Sequence, residues 1–109
     1  EAPEAIDELL KSIIVDFESS VDELIDYFMA EDFASLEDTL HKTKGMALNL
    51  GLPILAGQTE ALENTLKAKQ TPEIERLQML INRLQVNIHQ ANRLLDDIQK
   101  KNVDPQQIL

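Results

Sequence analysis

Apolar residues recur along this chain at gaps of three and four, the spacing that keeps one face of an α-helix turned toward a core. Strand-like alternation is nearly absent. The pattern predicts four helices. The first spans about 3–29 and carries Ile6, Leu10, Ile13, Phe17, Val21, Leu24 and Phe28 on one stripe; Ser19-Ser20, near its middle, is the place for a bend or break. The second opens after Asp32, a suitable N-cap, and turns Phe33, Leu36, Leu40, Thr43, Ala47 and Leu50 inward. Gly51 then stands where a helix end calls for positive φ. The third starts at Pro53 and runs to about Lys69, with Leu55, Leu62 and Leu66 facing in. Lys67 and Lys69 fall at its negative pole. The fourth, with Thr71 as cap and Pro72 at the first position, runs to about Lys101 along a heptad seam of Ile74, Leu77, Ile81, Leu84, Ile88, Ala91, Leu95 and Ile98. Asp104-Pro105 marks the tail. Long helices with short connections pack antiparallel. The expected fold is therefore all-α, an antiparallel up-down-up-down four-helix bundle, with a short extra N-terminal helix if the first one breaks.

A length of 109 residues suits one domain, 1–109. The absence of cysteine excludes disulfides and thiolate metal sites. No apolar run approaches the roughly 20 residues of a membrane span, and the N-terminus is acidic with no leader-like apolar region. Opening on Glu1, the chain is expected to be a piece of a longer protein. The net charge of −10 opposes nucleic-acid binding. That charge is uneven: residues 1–40 hold thirteen acids and only Lys11, a balance of −12, so the remainder carries +2. The plain reading is a solvated acidic face, which would also discourage wrong partners. No phosphate-binding loop or dinucleotide fingerprint is present, so no kinase site is expected. His89 reads as a surface or boundary residue, Tyr27 as a boundary residue and the three methionines as packing. With two histidines and no His-Glu-x-x-His motif, no metal or cofactor is expected.

The informative stretch is His41-Lys42-Thr43-Lys44-Gly45. At 100° per residue, Leu40, Thr43 and Ala47 share the core side and His41 points to solvent, with Lys44 and Gly45 its neighbours one turn on. Neutral imidazole is a good nucleophile near pH 7. A lysine one turn away offers charge to phosphoryl oxygens. Glycine costs about 1 kcal/mol inside a helix, so one on an exposed face, unneeded for packing, suggests close approach by another molecule. Taken singly, each has a bland reading as a surface residue; together on one patch they favour phosphoryl chemistry. Ala34, His41, Leu48 and Leu52 fall within about 20° of one another on the wheel, an apolar surround fit for a transient interface.

In these residues the chain resembles the histidine phosphotransfer (HPt) family: a histidine, Lys-Gly three and four residues later, glycine at ten, then a leucine-rich helix. His41, Lys44, Gly45 and Gly51 keep those spacings, and Leu55 and Leu62-Glu63 match the following helix. Leu40, Thr43 and Met46 depart from the family's usual residues, at positions off the His41 face. The resemblance implies a cytoplasmic phosphocarrier in two-component phosphorelays, not an enzyme, either free-standing or the C-terminal domain of a hybrid sensor kinase. It implies His41 as phosphoryl acceptor and donor, Lys44 as stabiliser of phosphoryl charge and Gly45 as the access point. Ala34, Leu48, Leu52, Phe33 and Lys42 would meet the receiver domain of a response regulator or hybrid kinase, which would bring the Mg2+. The expected form is a monomer without direct membrane contact. Two alternatives stand beside this reading: an adaptor bundle that docks receivers without being phosphorylated, and the dimerisation and phosphoacceptor domain of a histidine kinase.

Overall fold

The computed structural model describes residues 2–101, and the Asp104-Pro105 tail lies outside them. Among the described residues there are four helices and no strand: α1 (Ala2–Met29), α2 (Phe33–Asn49), α3 (Pro53–Lys67) and α4 (Ile74–Lys101). Each helix packs on its neighbours in the cycle α1–α2–α3–α4–α1, while the diagonal pairs do not approach. The antiparallel sense of α1 and α2 is visible in their polar contacts. Thr39 Oγ1 donates to Glu23 (3.2 Å), and one turn later Thr43 Oγ1 reaches Ser20, one turn earlier (3.2 Å). The expected all-α up-down-up-down bundle is the one observed.

Its core is Phe17, Val21 and Leu24 from α1, Leu36, Leu40 and Ala47 from α2, Leu55, Ala56, Leu62 and Leu66 from α3, and Leu77, Leu80 and Leu84 from α4. Burying each such leucine is worth about 1.5–3 kcal/mol relative to exposure. α1 runs unbroken through Ser19-Ser20, so the expected bend and extra helix are absent. The reason is local: Ser20 is buried and its hydroxyl accepts from Thr43, so its polarity is satisfied across the helix pair and not by opening the backbone. In α4 the buried set is Leu77, Leu80, Leu84 and Asn87, while Ile81 and Ile88 are half-buried and Ile74 is exposed. The helix touches both α1 and α3, so its inward stripe is wider than one seam and Leu80 joins it. Thr71 does not cap α4; the helix begins at Ile74, two residues beyond the expected first position at Pro72, and the Glu73 carbonyl accepts from Arg76 N and Leu77 N. Of the methionines only Met46 packs against the core, and Met29 and Met79 are largely exposed. Ile6 and Leu50, placed on core stripes by periodicity, are also exposed. His89 is exposed and Tyr27 is half-buried against the core, as expected.

The helix ends position the site. Asp32 caps α2 through its carboxylate, which accepts from Ser35 N (3.2 Å). α2 closes on Gly51, φ 70°, with Gly51 N bonded to Leu48 O and Leu52 N to Ala47 O. This paired pattern fills orphan carbonyls and turns the chain at once into α3. α1 and α3 end the same way, but with Glu31 (φ 55°) and Lys69 (φ 61°) in the left-handed position. α3 therefore stops at Lys67, short of the expected Lys69. A side chain in that region costs roughly 1–2 kcal/mol. Glu31→Gly should thus raise stability by about 0.5–1 kcal/mol, read as a higher urea midpoint at unchanged slope; a lowered midpoint would show that the turn is not strained.

Candidate functional site

α2 presents His41 on the outer side of the α2–α3 pair, with its side chain 71 % exposed. The ring is nonetheless anchored. Its Nδ1 lies 2.9 Å from Oε2 of Glu63, which α3 supplies across the helix pair. The Glu63 side chain is only 2 % exposed. Two ammonium groups meet the same carboxylate: Lys44 Nζ at 3.0 Å from Oε1 and Lys67 Nζ at 3.4 Å from Oε2. Oε1 has no partner with hydrogen-bond angles, so the Lys44 contact there is mainly charge on charge. Burial pushes the Glu63 carboxyl up, but the contacts from Lys44, His41 and Lys67 outweigh burial and hold it below its ordinary range. It is therefore ionised near neutral pH.

An ionised carboxylate can only accept a hydrogen bond. Nδ1 must then carry the ring hydrogen, and the free lone pair of neutral His41 sits on Nε2. Since Nδ1 turns toward buried Glu63, Nε2 is the outward nitrogen. The arrangement is a fixed, solvent-facing nucleophile with an anion behind it.

The other expected site residues fall as follows. Gly45 lies one turn beyond His41, and a Cβ built there would meet no heavy atom within 4 Å. Nothing among the described residues requires a glycine there. Leu48 is 64 % exposed and Ala34 is exposed, both on the His41 side. Lys44 is more enclosed than the wheel implied, 21 % exposed, because Glu63 draws it inward. Lys42 turns to the α1 side and pairs with Glu23 (3.2 Å), away from Glu63. Phe33 and Leu52 are half-buried against the core. Leu52 lies beyond Gly51, as the N-cap of α3, so the helical wheel did not apply to it. Ala34 and Phe33, with Glu37, Leu66, Lys69 and Gln70, line a groove of about 340 Å³ between α2 and α3. A larger hollow of about 520 Å³, lined by Pro53, Ile54, Gly57, Ala61 and Met79 among others, lies between α3 and α4 and holds no nucleophile.

Sequence reasoning passed over Glu63 and Lys67 as site residues. A glutamate next to core Leu62, four residues before a lysine, was the available signal: its phase placed it at the edge of the buried stripe, facing α2. Among the described residues no three His, Asp or Glu side chains gather to hold a metal ion, and no helix is long and apolar enough to cross a membrane.

Because its folded pKa is lowered, Glu63 contributes stability above its unfolded pKa of about 4.3, and that contribution is lost as pH falls through the folded value. Urea midpoints of the wild type and Glu63→Gln should differ at pH 7 and converge in acid. A gap that stays constant down to pH 2 would show that the carboxylate charge contributes nothing.

Comparison with known proteins agrees with this geometry. No curated protein and no solved structure matches the chain significantly. A family model described as the Hpt domain matches residues 1–101, nearly the whole chain. With an exposed histidine anchored on a helical bundle beside Lys44 and Gly45, the chain belongs to the Hpt domain family, the histidine phosphotransfer units of two-component phosphorelays.

Proposed function

We propose that this chain accepts a phosphoryl group on Nε2 of His41 from the aspartate of one receiver domain and passes it to the aspartate of another. The observation that carries the proposal is the His41–Glu63 pair: an imidazole 71 % exposed, its Nδ1 hydrogen committed to a buried carboxylate at 2.9 Å. The Nε2 lone pair attacks the phosphorus of an aspartyl phosphate. The N–P bond forms as the aspartyl O–P bond breaks, and that electron pair leaves on the aspartate. Nδ1 keeps its hydrogen, and the positive charge gained by the phosphorylated ring rests against Glu63. Transfer onward is the same step reversed on a second receiver.

Lys44 sits one turn from His41 and meets the charge of the arriving phosphoryl oxygens. Gly45 leaves open the space the receiver must enter. Exposed Leu48 and Ala34, with the edges of Phe33 and Leu52, form the apolar surround on which the receiver rests, and Lys42 lies at its α1 margin. Mg2+ and the groups that activate the acyl phosphate belong to the receiver, in the cytoplasm, and the chain is a carrier with no kinase site of its own. The four helices close their core within one chain, so a monomer suffices. A phosphorelay uses such a unit either free-standing or at the end of a hybrid sensor kinase, and the reading holds for both.

Incubation with a receiver domain charged with labelled phosphate tests the proposal. The wild type should take up acid-labile, base-stable label, and His41→Gln should take up none while keeping its helical circular dichroism. Equal labelling of the variant would remove His41 from the role; binding without label on the wild type would make the chain an adaptor. Gly45→Ala separates access from folding. It should stabilise the helix by about 0.5–1 kcal/mol, since the new methyl meets nothing, yet slow phosphoryl transfer. An unchanged transfer rate would show that no partner comes close at Gly45.

A further inference from the structure

Two hollows on the α3–α4 side form one groove. The first, about 520 Å³, lies among Gly57, Ala61, Arg76 and Met79, and the second, about 200 Å³, among Arg83, Asn87 and Gln90. Pro53 and Ile54 line both, so the two are continuous. Along α4 the groove runs from Arg76 to Gln90, about 21 Å at a helical rise of about 1.5 Å per residue. Its rim is apolar where it meets water: Ile54 is 54 % exposed and Met79 57 %. Gly57 contributes no side chain to fill the first hollow, and a Cβ built there meets no heavy atom within 4 Å. Asn87, at the second hollow, is 8 % exposed and its Oδ1 has no hydrogen-bond partner, which leaves an acceptor there for an incoming donor.

The charge of the groove is opposite to that of the chain. Acidic side chains outnumber basic ones 20 to 10, yet among the described residues no carboxylate lines either hollow, and Arg76 and Arg83 do. Among the described residues Arg83 forms no ion pair. Arg76 meets only Glu73 (3.2 Å), in a pair exposed on both sides that another carboxylate replaces at small cost. Seven residues separate the two arginines, so they stand on one side of α4, two turns apart.

That repeat selects the occupant. A helix renews its surface every seven residues, about 10.5 Å, which matches the spacing of the arginines and comes close to the step from Met79 to Asn87, about 12 Å. Apolar side chains seven residues apart then enter the two hollows, while carboxylates seven residues apart meet Arg76 and Arg83. A second copy of this chain fits poorly, because its acidic helix α1 already turns its apolar stripe into its own core.

We propose that the α3–α4 groove is a docking site for an acidic amphipathic helix of a partner protein, with apolar residues at i and i+7 in the hollows and carboxylates on the two arginines. The site lies round α3 from His41: Gly57 and Ala61 stand about 120° and 160° from Glu63 at 100° per residue. A helix docked there leaves His41 uncovered, so the chain is held by one partner while its histidine faces another. The proposal rests on the groove and not on the carrier reading.

Two synthetic helical peptides test it, each about 20 residues on an Ala/Gln background with leucines seven apart, one with glutamates beside them and one with lysines. Fluorescence anisotropy compares their binding to wild type, Gly57→Leu and Arg83→Glu. The wild type should bind the glutamate peptide about five- to tenfold more tightly than the lysine peptide, a gap that shrinks at about 1 M salt. Arg83→Glu should close or reverse that gap. Gly57→Leu should fill the first hollow and weaken the glutamate peptide at least about tenfold, while its urea midpoint is not lowered, since leucine favours a helix over glycine. Amide NMR signals of residues 53–62 and 76–90 should move on binding. Failure of the wild type to bind, equal binding of both peptides, binding untouched by Gly57→Leu, or shifts centred on residues 41–48 would each overturn the proposal. So would a dimer on a sizing column that Gly57→Leu dissociates, which would make the occupant a second copy.

Discussion

A carboxylate carried into a helix–helix boundary is strongly destabilising unless cations and donors meet it there. Glu63 is such a group, and its partners settle much of the local design. His41 can neither rotate freely nor choose its tautomer, because Nδ1 is held at 2.9 Å. Lys44 is drawn in from the surface, and Lys67 leans over the end of α3. A single buried anion thus sets which imidazole nitrogen is free, which way it points and where the nearest positive charges stand. A receiver meets this arrangement already built.

Most of the fold was legible because it is written in one dimension. The stripes of α1, α2 and α3, the Asp32 cap, the Gly51 stop and the Pro53 start each follow from residues within a few positions of one another. The errors share a cause. Ser20 reads as a bend until its partner Thr43 is known, 23 residues away. In α4, periodicity chose Ile74 and omitted Leu80, because a helix packed against two neighbours has a broad stripe whose centre one sequence cannot locate. Leu52 was placed on a wheel that ends three residues before it, at Asn49.

The candidate site divided along the same line. His41, Lys44 and Gly45 lie on one helix and were found by spacing. Glu63 and Lys67 lie on the next helix, and no intrahelical rule joins them to His41. Sequence alone offered Glu63 only as a match to the family's leucine-rich helix and Lys67 only as a cation at the helix end. Only the packing of α2 on α3 turns that acid inward and makes it the anchor of the imidazole.

Gly45 shows where stability was set aside. An alanine would fit in empty space and strengthen the helix, yet a glycine stands there; the proposed approach of a receiver at this point supplies the constraint that the described residues do not. The charge distribution points to the same conclusion. α1 carries an outward run of Asp16, Glu18, Asp22 and Asp26, while Lys44, Lys67 and Lys69 gather on the α2–α3 side. A partner whose reactive pocket is acidic is repelled by the first surface and attracted by the second. Such asymmetry acts mainly on encounter, biasing approach toward the face that carries His41. On the proposed reading the apolar surround of Leu48 and Ala34 is small, which suits a short-lived complex and a carrier that must leave one partner for another.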